Sequence, residues 1–232
     1  MASRWIKITA PDGKTFDGYL SLPPSGRGPG LAVIQEIYGV NPSIREAVDF
    51  FAQNGFVALA PDLFWRIEPR IELGFDEAGS KRAQELHKVF DYEQGVKDLG
   101  STLAALRGLP ECSGKVGVTG FCLGGTFAYL STTRLGVDYA AGYYGTRIHQ
   151  YLDEAGKVGC PLVLHFGGED HTTPPDVLAK IKDALGGNPK VQIHVYPGAK
   201  HAFANTQRPS YDKESTALAH KRTFEFVRKV TG

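Results

Sequence analysis

Three observations predict an α/β fold with a mostly parallel central sheet, an antiparallel N-terminal edge and helices on both faces. Short apolar, β-branched runs alternate with segments of helical spacing. Two strand candidates flank Pro11-Asp12-Gly13, and Gly120-Phe121-Cys122-Leu123-Gly124-Gly125 joins a strand to a helix through a sharp turn. The chain has 232 residues and no linker-like stretch, so a single domain over 1–232 is expected.

The elements follow in order. Trp5 to Thr9 and Phe16 to Leu22 should pair antiparallel at a sheet edge, because glycine in Pro11-Asp12-Gly13 tolerates the positive φ of a tight turn. Leu31-Ala32-Val33-Ile34 reads as a buried strand ending at Gln35-Glu36-Ile37-Tyr38-Gly39, which puts polar groups at its C-terminal end. From Ser43 to Asn54 the spacing is helical, with Ile44, Val48 and Phe51 on one face and Gly55 as the stop. Phe56 to Ala60 returns as a strand. Prolines, a glycine and Trp65 mark Pro61 to Phe75 as irregular, a cap over the site or a surface crossing. Asp76 to Leu109 is helical with a break near Asp91, and Leu109-Pro110 ends it. Lys115 to Thr119 is the strand before the turn, and Thr126 to Leu130 begins the helix after it. Val137 to Tyr143, Pro161 to Phe166 and Val191 to Tyr196 are further strands, with a helix over Pro175 to Leu185. A closing helix is expected from Tyr211, with Phe224 and Val227 on its apolar face.

Composition narrows the function. Lysine plus arginine number 26 against 25 aspartate plus glutamate, with no long block of either sign, which gives no electrostatic case for nucleic acid. No run is long and apolar enough for a bilayer, and no secretory signal pattern opens the chain, so a cytoplasmic protein without a membrane partner is expected. The three cysteines, Cys112, Cys122 and Cys160, are widely spaced without CxxC pairing, and no HxH or HExxH occurs; free thiols, no metal and no cofactor are expected.

The turn at Cys122 carries the chemistry. A thiol at a helix N-terminus is favoured as thiolate by the dipole and unpaired amides, and the amides can bind a developing oxyanion. A thiol nucleophile needs a base, and the base an orienting acceptor. Asp170 follows one strand in Gly167-Gly168-Glu169-Asp170-His171-Thr172-Thr173-Pro174. His201 follows the last strand in Tyr196-Pro197-Gly198-Ala199-Lys200-His201. Each residue alone has a plainer reading: a core cysteine, a turn-forming aspartate, a solvated histidine. Nucleophile, acid and histidine in that order, each in a glycine-bearing loop after a strand, match the α/β-hydrolase fold. His171 is an orienting or surface residue. His87, His149, His165, His194 and His220 keep structural readings, as do Cys112 and Cys160.

Over nearly its whole length the chain resembles the dienelactone hydrolases (carboxymethylenebutenolidases). The likeness rests on Gln35-Glu36-Ile37-Tyr38-Gly39-Val40-Asn41, Pro61-Asp62-Leu63, the Gly120 to Gly125 turn, Gly142-Tyr143-Tyr144-Gly145, Gly168-Glu169-Asp170-His171 and His201-Ala202-Phe203-Ala204. It implies a monomer that opens activated enol-lactones through a cysteine acyl-enzyme. It also implies that Glu36 accepts the thiol proton when substrate binds, sparing a permanent thiolate from oxidation. The Ile37 and Leu123 amides would form the oxyanion hole, the second also following from the elbow geometry.

The substrate pocket departs from the family pattern. There, two arginines grip a substrate carboxylate; here the matching positions are Ser80 and Asn205, and the aromatic positions further along the first of these helices are Gln84 and His87. Lys81, Arg82 or Arg208 could substitute from adjacent positions, but a shift of one residue on a helix turns a side chain by roughly 100°. Tyr38, Tyr144 and Phe203 complete the candidate substrate-binding set. The expectation is a cysteine hydrolase of a small lactone or activated ester. The alternatives are a general carboxylesterase or thioesterase of the same fold, or a silent ligand-binding member.

Overall fold

A computed structural model describes residues 3–232. Eight strands form one sheet: β1 (Ser3–Thr9), β2 (Thr15–Ser21), β3 (Gly28–Ile34), β4 (Val57–Pro61), β5 (Cys112–Phe121), β6 (Tyr139–Tyr143), β7 (Leu162–Gly167) and β8 (Val191–Tyr196). Their order across the sheet is β1-β2-β4-β3-β5-β6-β7-β8. Six helices accompany them: α1 (Pro42–Gln53), α2 (Glu77–Val89), α3 (Tyr92–Gly108), α4 (Leu123–Arg134), α5 (Pro175–Leu185) and α6 (Lys213–Thr231). The chain divides into two compact units, one ending at Gly117 and the other Val118–Gly232.

In the first unit, β1 pairs antiparallel with β2, which pairs antiparallel with β4, and β3 pairs parallel with β4. The edge is visible in the chemistry: β1 is largely exposed, and its Lys7 lies opposite Asp17 in register with Nζ 2.9 Å from the carboxylate. Every residue of β4 is buried, as a strand covered on both faces requires. Asparagine and aspartate start the helices: Asn41 Oδ1 accepts from Ile44 N, Asp76 Oδ1 from Gly79 N, and Asp91 Oδ1 from Gln94 N. The last of these is the break between α2 and α3 expected near Asp91.

The segment after Pro61 is irregular, as expected, and it is tied down. Buried Asp98 of α3 accepts from Trp65 Nε1 at 2.9 Å and from Arg66 Nε and Nη2 at 2.9 and 3.0 Å, and Trp65 stacks on Phe16. Asp62 accepts from the Phe64 and Arg70 amides. The segment also braces the turn after β3, where Leu73 N donates to Tyr38 O and Asn41 Nδ2 to Leu73 O.

In the second unit β6, β7 and β8 run parallel, with β6 and β7 wholly buried. Two expectations change here. Residues Ile148–Lys157, read as a connection, form a 3₁₀ segment kinked at Tyr151 and held to α4 by the Arg134–Glu154 pair and by Tyr129 Oη on Tyr151 O. The inward face of α6 is Thr216, Ala219, Thr223, Phe226 and Val227, so Phe224 sits half-buried beside it, against His220. No helix among the described residues is long and apolar enough to cross a membrane.

Candidate active site

Cys122 is the single residue between β5 and α4, and the connection leaves it little choice of backbone. Its φ of 56° and ψ of −111° lie on the left-handed side, which costs a non-glycine residue about 1–3 kcal/mol. The surroundings impose this shape: Cys122 N donates to Tyr143 O and Gly125 N to Cys122 O, both at 3.0 Å. A Cβ on Gly120 would stand 2.3 Å from Gly124 O, and one on Gly125 would stand 2.6 Å from Tyr143 O. Both flanking positions therefore exclude a side chain. Cys112 and Cys160 are buried while Cys122 is half-buried, so it is the accessible thiol. Burial also pushes the Cys160 thiol up to about 11, which leaves it inert at neutral pH.

Asp170 follows β7 and is buried. Its Oδ1 accepts from Thr172 N at 2.8 Å and Thr172 Oγ1 at 2.7 Å, and its Oδ2 accepts from His201 Nδ1 at 2.8 Å. The loops carrying the two residues are stitched by backbone bonds, Gly168 N to Tyr196 O and Glu169 N to Ala199 O. Past the histidine, Ala202 turns through a φ of 62°, and Ser210 Oγ donates to His201 O at 2.6 Å. The Tyr144 ring meets the imidazole edge-on at 5.1 Å.

The electrostatics couple these groups. Burial pushes His201 down, but the neighbouring Cys122 and the hydrogen bond to Asp170 outweigh it, raising the imidazole from 6.5 to about 10. For Asp170, burial pushes the carboxyl up, yet His201 and Thr172 together hold it below its ordinary value. The acceptor and the imidazole are thus hydrogen-bonded, and the imidazole is coupled to the thiol, the arrangement of acyl transfer by a covalent route. Thr172 belongs to this group and was not legible as such in the sequence, where it reads as one of several loop hydroxyls.

The other candidates are placed as follows. Leu123 is the first residue of α4 and buried; Phe203 is buried between Tyr144 and Tyr196. Asn205 is buried, with Oδ1 accepting from Gln207 N at 3.0 Å, and Arg208 is half-buried. In the first unit Glu36 is buried and Ile37 half-buried just after β3, where Gln35 bridges Glu36 O and Leu63 N. Tyr38 Oη lies 3.3 Å from Ser80 Oγ, and its ring packs on Phe75. Lys81, Arg82 and Gln84 are exposed, and Arg82 is paired with Glu68 and Glu85, as a solvated charge would be. His87 Nε2 is engaged with Tyr92 Oη at 2.9 Å. Cys122, Asp170 and His201 are brought together, and Tyr38 meets Ser80. No group of three or more histidines, cysteines or carboxylates able to hold a metal occurs among the described residues.

The chain is similar to known proteins along nearly its whole length. The family model of the dienelactone hydrolase family matches residues 16–231. A carboxymethylenebutenolidase of Pseudomonas putida is 37% identical over 228 residues, covering 98% of this chain and 97% of its own. Carboxymethylenebutenolidase 1 of Cupriavidus pinatubonensis is 34% identical over 228 residues, covering 98% and 97%. The crystal structure of a candidate dienelactone hydrolase from Klebsiella pneumoniae superposes with a TM-score of 0.84 at 27% identity, covering 97% of this chain and 98% of that one.

Proposed function

The chain belongs to the dienelactone hydrolase family, hydrolases of lactone and ester bonds, and we propose that it works through an acyl-enzyme on Cys122. The observation that carries this reading is the series Asp170–His201–Cys122, with Asp170 Oδ2 2.8 Å from His201 Nδ1 and the imidazole electrostatically coupled to the half-buried thiol.

In the proposed sequence Glu36 accepts the thiol proton when substrate binds, and the thiolate faces a protonated His201. Cys122 Sγ attacks the carbonyl carbon, and the oxyanion is met by the Leu123 and Ile37 amides. The carbonyl then reforms, the carbon–oxygen bond of the ester breaks, and His201 delivers a proton to the departing oxygen. In a lactone that oxygen stays tethered to the acyl group. Water next attacks the thioester while the neutral imidazole takes its proton, the carbon–sulfur bond breaks, the acid product departs, and Glu36 returns its proton to the thiolate. Asp170 holds the imidazole orientation and stabilises its cation throughout. A thiolate departs readily from its acyl-enzyme, which favours enol-lactones, activated esters and thioesters over amides.

Ser80 and Asn205 are neutral, and Arg82 is committed to Glu68 and Glu85, so the proposed substrate does not depend on a carboxylate grip. This is also what favours a broader carboxylesterase or thioesterase as the second reading. A substrate profile tests both: hydrolysis of enol-lactones with and without a free carboxylate is expected within about tenfold in kcat/KM, below the roughly 10–160-fold that one buried charge-assisted contact is worth. A preference of several hundredfold for the carboxylate would contradict the pocket assignment. Absence of any lactone or ester turnover would contradict the proposed activity.

A further inference from the structure

A buried polar chain lies behind the elbow. His165, in the middle of β7, is fully buried, with Nδ1 2.8 Å from Tyr196 Oη and Nε2 2.9 Å from Thr223 Oγ1. Thr223, on the inward face of α6, is 2.7 Å from Tyr143 Oη. Arg222, next to it, lies over the Tyr196 ring, with Cζ 5.4 Å from the centroid.

His165 is neutral, since burial, with His194, His220 and Arg222 near it, pushes its imidazolium far down. One of its ring nitrogens therefore donates and the other accepts, and the hydroxyls of Tyr196 and Thr223, which can do either, satisfy both. A buried network whose members are all paired is rigid rather than adaptable.

The far end of the chain is the socket of the elbow. The Tyr143 carbonyl accepts the Cys122 amide at 3.0 Å, and the His165 carbonyl accepts the Tyr144 amide at 2.7 Å. Tyr144, at a φ of 40°, carries the ring that meets His201. One strand residue thus holds Tyr143 by its side chain and Tyr144 by its backbone, and these two neighbours touch the thiol-bearing residue and the imidazole respectively.

We infer that His165, Thr223 and Tyr143 form a positioning relay that sets where Cys122 and His201 meet. None of the three touches the reacting atoms. The inference rests on Cys122 being the nucleophile, so its test includes a readout that does not need substrate. The probes are turnover of an activated aryl ester, and alkylation of Cys122 by iodoacetamide followed by mass spectrometry. Thr223→Val is expected to lower kcat about tenfold with KM within twofold, because a sub-ångström misplacement is felt in the rate while binding is untouched. It should slow alkylation of Cys122 by a similar factor. Thr223→Ser, which keeps the hydroxyl, should restore both to within twofold.

Unchanged kcat and alkylation in Thr223→Val, or equal losses in Thr223→Ser, would each overturn the relay. If Thr223→Val does not fold, Tyr143→Phe removes the same link while keeping the ring, with the same outcomes expected. If instead Cys122→Ala retained full turnover, the nucleophile assignment would fail while the alkylation comparison still judged the relay.

Discussion

Gly125→Ala isolates how much of the site is imposed by packing. The added Cβ would stand 2.6 Å from Tyr143 O, 2.8 Å from Gly145 Cα and 2.9 Å from Gly145 N, where ordinary contact begins at 3.4 Å. All three neighbours are backbone, so no rotamer change relieves the overlap, and α4 must retreat from the end of β6 by about 0.5–0.8 Å. Gly145 has no room to yield, since a Cβ there would itself lie 2.9 Å from Gly125 C. Alanine gains about 1 kcal/mol in helix propensity, while overpacking costs about 1–3 kcal/mol or more. The net is a destabilisation of up to about 2 kcal/mol, or up to roughly 8 °C in Tm for a chain of this size. The kinetic effect should be larger: separation at this contact carries Cys122 away from His201, and misplacement on the order of 1 Å costs roughly a hundredfold. Calorimetry with kcat on an activated ester would read both, with Gly136→Ala as control because nothing lies within 4 Å of its Cβ. If Gly125→Ala matched Gly136→Ala in Tm and kcat, the claim that packing imposes the elbow would be refuted.

Other predictions concern the charges. Cys122 is the leading influence that raises His201, so Cys122→Ala should return the imidazole from about 10 toward its usual 6.5, read by proton NMR of the ring; an unmoved titration would show that the pair is not coupled. The sign for stability follows: a folded value raised above the unfolded one stabilises fully below pH 6.5 and is lost as pH rises through about 10. Unfolding titrations across that window should therefore fall more steeply for the unaltered protein than for Cys122→Ala. Thr172→Val removes the hydroxyl from Asp170 Oδ1 and should cost about tenfold in kcat/KM, with Thr172→Ser near full activity; equal activity in the valine variant would make Thr172 a bystander. Glu36→Gln should lower kcat by about a hundredfold, the lower range for general base catalysis, and full activity in that variant would remove Glu36 from the chemistry.

Much of this site is readable from residue order because its parts are local. A glycine-flanked cysteine between strand and helix, and an aspartate and a histidine each in a loop after a strand, are patterns a few residues long. The break at Asp91 is equally local, being one carboxylate on one amide. What escaped depends on contacts between distant elements. Thr172 reads as a loop threonine until the chain brings His201 beside it. His165 reads as a strand residue until α6 delivers Thr223 to its Nε2. The inward face of α6 was misjudged for the same reason: Thr223 is polar, so an apolar pattern passes over it in favour of Phe224. The 3₁₀ segment at Ile148–Lys157 has no regular period to detect, since it kinks at Tyr151.

The central claim is a covalent acyl group on Cys122, and intact-protein mass spectrometry during turnover of an activated aryl ester tests it most directly. The account predicts a transient mass increase of one acyl group, mapped to the peptide bearing Cys122, absent in Cys122→Ala and prolonged in His201→Asn, where breakdown by water lacks its base. Turnover without any adduct, together with full activity in Cys122→Ala, would contradict it.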